Sequence, residues 1–350
     1  MKTPTMLRAT AVGLVAMLAA GTFAAAAPAA SDLQVLQRWK LGGAGGWDYL
    51  TLDAAGRHLF LSRATHVDIV DTASGQVIGT VPNTQGVHGI ALAEDLKRGY
   101  ASNGKADSVT AFDLADFKVI REVKIAGHNP DAVLYEPVGK HVFTFNGRSK
   151  DVTVLDASSL AVVATFPVPD KPEFAVDGGD GRIYVNIESD AGQMAVIDSR
   201  KLSIERIVPL PGCASPSGLA IDKVHHRLFS VCDGKTMAIT DADSGRQIAR
   251  VPIGEGPDAA AFDAKRGLVF SSNGDGTLTV VRQRTPDLYS VQATVPTQRG
   301  ARTMALDAAG GKVYLVSADF EPPAAPTPQQ PRPRPVPTPD SFTVLVVGTP

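Results

Sequence analysis

The stretch GLVFSSNGDGTLTVV, residues 267–281, runs from an apolar segment into Asn-Gly-Asp-Gly and out through an alternating apolar one. It reads either as a hairpin turn between two strands or as an oxygen-rich loop around a cation. The cluster lacks the longer run of spaced oxygen ligands that an EF-hand loop supplies. Asn and Asp beside Gly satisfy turn amides with their own side chains. The hairpin reading is therefore preferred, and any ligand Asn273 meets must be shared with residues from elsewhere in the chain.

The same hairpin recurs. Aromatic residues follow a turn at Phe60, Tyr100, Phe143, Tyr184, Phe229, Phe270 and Tyr314, with spacings of 40 to 45 residues. Seven residues before each stands Asp53, Ala93, Glu136, Asp177, Asp222, Asp263 or Asp307. Each unit continues with an alternating strand (VDIVD, VTAFD, VTVLD, MAVID, MAITD, LTVVR, FTVLV), five of them ending on an Asp that starts a turn. A further short strand follows in most units. Four short strands in about 43 residues is the pattern of a β-propeller blade, and seven copies predict an all-β, seven-bladed propeller with four antiparallel strands per blade.

The seventh copy ends after FTVLVV without a fourth strand, while LQVLQRWKL (Leu33–Leu41) is a strand with no blade of its own. The N-terminal strand is expected to complete the last blade, which removes a free sheet edge. Residues 318–341 interrupt blade seven with a proline-rich insertion, expected as an extended surface loop or, alternatively, a lid or docking segment.

Residues 1–30 run basic, apolar, then small, as a secretory signal peptide does, with cleavage expected between residues 26 and 30. Residues 31–350 then form a single propeller domain, exported to the periplasm and not held in a membrane. The chain carries a net charge of −2, which becomes −4 once Lys2 and Arg8 leave with the signal. A mildly acidic protein does not advertise nucleic-acid binding. The only cysteines, Cys213 and Cys232, are expected to be bridged in an oxidising compartment. A monomer is expected.

Repeat motifs such as NPDAVLYEPVGKHVFTFNG and SPSGLAIDKVHHRLFSVC resemble the YVTN-type repeats of secreted bacterial β-propellers, the YncE-like family. The resemblance covers nearly all of the mature chain. It implies the fold; propellers host binding, scaffolding and catalysis alike.

In a propeller the innermost strands begin at one rim of the central channel. The residues there, one per unit, are Asp48, His88, Asp131, Glu173, Ser217, Asp258 and Arg302. A second ring, at the end of each second strand, holds Arg63, Asn103, Asn146, Asn186, Cys232–Asp233, Asn273 and Ser317. Arg148, Lys171, Glu188, His66, His128 and Arg299 lie in nearby loops. A pure structural repeat would repeat one residue, whereas this rim varies among acid, base and hydroxyl, as a ligand site does.

Three functions follow. The first is a binding module taking a small-molecule or protein ligand at the channel mouth. The second is a metal-assisted hydrolase of lactonase type, or a lyase. There Asp131, Asn146, Glu173, Asn186 and Asp258 would hold Ca²⁺, with His88 transferring protons and Glu173 and Arg302 completing the catalytic set. The third, single-stranded nucleic-acid binding, is also implied by the resemblance but needs a basic groove with exposed aromatics that this composition does not offer. Haem, zinc-helix and serine-hydrolase motifs are absent from the sequence.

Overall fold

The computed structural model describes residues 32–322 and 335–350, together with Met1. The signal-peptide reading and the middle of the proline-rich insertion fall outside the described residues. Seven antiparallel sheets of four strands each make the propeller. Blades 1 to 6 occupy residues 50–81, 87–124, 130–167, 171–209, 216–252 and 257–296 in chain order. Blade 7 orders its strands as Met304–Asp307, Lys312–Ser317, Thr343–Gly348 and, outermost, Gln34–Lys40. The N-terminal strand pairs antiparallel with Thr343–Gly348, from Gln34 against Gly348 to Lys40 against Thr343.

The repeated sequence signals each have a structural task. The seven aromatics are all buried, packed between neighbouring blades. Burying a side chain of that size contributes roughly 1.5–3 kcal/mol. The acids seven residues upstream close the turn between the first two strands. Asp53 accepts from the Arg57 and His58 amides, and Glu136 from those of Val138 and Gly139. The Asp residues ending the third strands do the same one turn later, as Asp71 does for Ser74 and Asp241 for Ser244. The hairpin at 267–281 is a turn of this kind: Leu268–Asn273 pairs with Thr277–Thr285, Asn273 opposite Thr277.

The first strands of blades 2 to 6 share an irregularity. Pairing slips after Val87, Pro130, Pro172, Pro216 and Pro257, each the first residue of its strand except Pro172, which is the second. Proline is tolerated there because a strand's first residue need not donate to the ladder. Such bulges re-aim side chains next to functional sites. Here each slip falls beside a rim residue: His88, Asp131, Glu173, Ser217 and Asp258.

The described ends of the proline-rich insertion form a short stalk, with the Glu321 amide bonded to the Val336 carbonyl at 2.9 Å and Thr338 to Asp319 at 2.8 Å. Phe320 on that stalk lies 6.2 Å from the Trp47 ring, one residue from Asp48.

Candidate functional site

Six of the seven rim residues converge on a cavity of about 200 Å³ at one end of the channel, and the seventh, His88, bonds to Asp48 without lining it. Asp48, Asp131, Glu173, Ser217, Asp258 and Arg302 line it from the starts of the inner strands; Glu188 and Asp233 join them from the ends of second strands, and Lys171 from the start of blade 4. Bonds between blades hold the rim backbone. Ser102 donates to the Asp131 carbonyl and Ser272 to that of Arg302, while Ser217 donates to Pro257 at 3.0 Å. Asn186 donates to the Ser217 and Gly218 carbonyls at 3.0 Å.

Six carboxyl groups thus face Lys171 and Arg302 across this small space, and the crowding shows in their proton affinities. Burial raises Asp258 to about 7, although Arg302 Nε stands 3.2 Å from its Oδ2. Burial, then the neighbouring Asp48, raises Asp131. Burial, then Asp131, holds Glu173 well above the ordinary carboxylate range. Lys171 contacts both Glu173 and, at 2.5 Å, Glu188. Burial alone would raise Glu188, but hydrogen bonds from Lys171 and Glu173 lower it and keep it ionised. Burial and Glu188 raise Asp233. Burial would lower His88, yet its hydrogen bond to Asp48, 2.6 Å from Nδ1, raises it.

Several expected site residues are turned elsewhere. Asn103, Asn146 and Asn273 are fully buried, and each donates into its own blade: Asn103 to Ser108 and Thr110, Asn146 to Asp151 and Thr153, Asn273 to Thr277 and Thr279. Asn186 is spent on the blade 5 backbone and accepts from Ser230 at 2.9 Å. Of the five residues expected to hold calcium, Asp131, Glu173 and Asp258 line the cavity, while Asn146 and Asn186 donate their side-chain amides within the fold and do not line it. Arg63 is buried at the junction of blades 1 and 7, 3.2 Å from Asp68, with its guanidinium 3.8 Å above the Phe342 ring. Arg148 is exposed and does not line the cavity.

The structure also brings in residues that the rim pattern did not single out. Tyr49 and Phe174 line the cavity and stack on each other, centroids 5.4 Å apart and planes 20° from parallel. Each follows a rim acid, Asp48 or Glu173, and that adjacency was the available sequence signal. Cys213 and Cys232 form a disulfide with Cα atoms 5.2 Å apart. Ser215 and Asp233, close to the two cysteines in sequence, line the cavity wall. His225 and His226 pair with Asp222 and Asp243 on a turn outside the cavity.

Among the described residues, no helix is long and apolar enough to cross a membrane. No protein-family model matches the chain. Two curated relatives, each titled uncharacterized protein YncE and coming from Salmonella typhi and Salmonella typhimurium, are 27% identical over 146 residues, 40% of this chain and 41% of theirs. The chain thus spans about two-fifths of the length of the curated relatives it matches. Among solved structures, hydrazine synthase from Kuenenia stuttgartiensis aligns with a TM-score of 0.69 at 18% identity, covering 77% of this chain and 92% of that one. The RRP9 WD40 repeats align with a TM-score of 0.72 at 12% identity, covering 92% and 99%. These likenesses establish a β-propeller with weak sequence similarity to YncE proteins.

Proposed function

We propose that this chain is a periplasmic binding propeller of the YncE-like, YVTN-repeat kind, and that its channel mouth takes a small ligand carrying positive charge. The observation that carries the reading is the surplus of carboxyl groups in the cavity; burial, with Asp48 and Asp131 adding to it, leaves Asp258 holding its proton up to about pH 7 even beside Arg302. A bound cation would let these acids ionise and replace the protons. The stacked Tyr49–Phe174 pair adds an apolar wall whose ring faces attract cations. A cavity of about 200 Å³ suits a compact ligand better than a protein segment.

The test compares 1,4-diaminobutane with the uncharged 1,4-butanediol in thermal melts at pH 6 and pH 8. The diamine should raise the melting temperature, more at pH 8 where the acids are ionised, and the diol should not. Equal effects of the two, or no effect of either, would overturn the reading.

A second reading, a hydrolase or lyase at the same mouth, is favoured by one arrangement. Glu173, its proton affinity raised, sits beside Lys171 and Glu188, whose affinity is lowered, and two carboxyls pushed apart in this way are the pairing that acid–base catalysis needs. Turnover in a lactone and ester panel, lost in Glu173→Gln, would support it.

A further inference from the structure

We infer that Asp48, His88 and Asp131 form a binding site for a divalent first-row transition metal, built from the inner strands of three successive blades. This rests on the reading of the channel mouth as a cation site and names one cation for it.

The candidate ligand atoms of the three side chains lie within 4.8 Å of one another. His88 Nδ1 is 2.6 Å from Asp48 Oδ2 and 3.9 Å from Asp131 Oδ1. Metal–ligand bonds of about 2.0–2.2 Å place neighbouring donor atoms roughly 3 to 3.5 Å apart. The first contact would therefore open by roughly 0.4–0.9 Å and the second close by a similar amount.

An acidic cluster alone would not carry the argument. Asp131 adds an independent observation: it keeps only 9% of its surface, lines the cavity and, among the described residues, receives no hydrogen bond on its carboxylate, whose ion-pair partner is His88 Nδ1 at 3.9 Å. A buried carboxylate without donors is costly unless something positive completes it. Its backbone is meanwhile fixed, because Ser102 bonds its carbonyl from blade 2.

The imidazole is also held in place. A Cβ added at Gly104 would come within 2.6 Å of His88 Cδ2 and 2.7 Å of Nε2, so the ring edge away from the carboxylates packs against a residue that must lack a side chain. That leaves Nδ1 toward the acids. One nitrogen and two carboxylate oxygens suit zinc, manganese, iron or cobalt better than calcium, which prefers all-oxygen ligation.

The test titrates the purified, oxidised chain with Zn²⁺ alone by calorimetry and with Co²⁺ alone by visible absorption. One equivalent of each should bind. His88→Gln and Asp131→Asn should each weaken binding by more than about tenfold. Gly104→Ala, which keeps all three ligands but crowds the ring, should weaken it as well and alter the Co²⁺ spectrum. His128→Gln, at an exposed pair with Asp107 outside the cavity, should change affinity less than threefold. Circular dichroism establishes that each variant is folded. Absence of a one-equivalent site in the wild-type chain, or undiminished affinity in His88→Gln and Asp131→Asn, overturns the inference. If 1,4-diaminobutane still stabilises the protein in that case, the broader cation reading stands; if it does not, both fall.

Discussion

Arg302 Nε stands 3.2 Å from Asp258 Oδ2 across the junction of blades 6 and 7, yet Asp258 still holds its proton up to about pH 7. A guanidinium at that distance ordinarily lowers a carboxyl group. Burial outweighs it here, and the other mouth acids add to the effect.

The pH dependence of stability follows from that pair. An unfolded Asp titrates near ~3.9, so between there and about 7 the folded chain keeps a proton that the unfolded chain has released. Stability should therefore fall as pH rises from about 4 to 7 and level off above. Asp131 and Glu173, also raised, act in the same direction. Melts at half-unit pH steps should show a shallower slope in Asp258→Asn; an unchanged slope would mean that Asp258 is not the titrating group.

Lys171 is the bridge between Glu173 and Glu188. In Lys171→Met the two acids lose their shared cation, and stability should drop by about 1–2 kcal/mol at pH 8. The loss should be smaller at pH 5, where protonation relieves the repulsion. Urea midpoints at the two pH values measure the difference.

Asn273→Ala leaves Thr277, Thr279 and Ser271 without a buried amide partner. The expected cost is about 1–3 kcal/mol. The same change at Asn146 should behave alike, and in both variants the stabilisation by 1,4-diaminobutane should survive. Its loss would return these amides to the list of ligand contacts.

The Cys213–Cys232 bridge closes a loop with a sequence separation of 19. Reduction, or the double serine variant, should cost about 2–4 kcal/mol. Because Ser215 and Asp233 belong to the cavity wall, diamine affinity should fall along with stability.

The rim was legible because a propeller makes equivalent sequence positions equivalent in space. Once the aromatic period was aligned, Asp48, Asp131, Glu173, Ser217, Asp258 and Arg302 fell on one cavity. The asparagines misled for a physical reason: position alone does not say which way a side chain is aimed. Asn103, Asn146 and Asn273 end strands at the correct rim, but Ser, Thr or Asp at alternating positions of the next strand captures them. In Ser102–Asn103 and Ser272–Asn273 the labour is divided, the serine bonding the next blade and the asparagine its own. Arg63 was lost similarly, to Asp68 and the Phe342 ring, which lie in different blades. Tyr49 and Phe174 meet across 125 residues of chain, a contact that no local pattern encodes.

The closure of blade 7 has a consequence for the order of assembly. Among the described residues, the one strand that Gln34–Lys40 pairs with is Thr343–Gly348. During synthesis Gln34–Lys40 must wait for this pairing until Thr343–Gly348 has emerged. Blades 1 to 6 can each form from contiguous chain, so the circle shuts last. Until it does, the mouth that gathers residues from Asp48 to Arg302 has no fixed circumference, and the cation site proposed there can exist only in the finished ring.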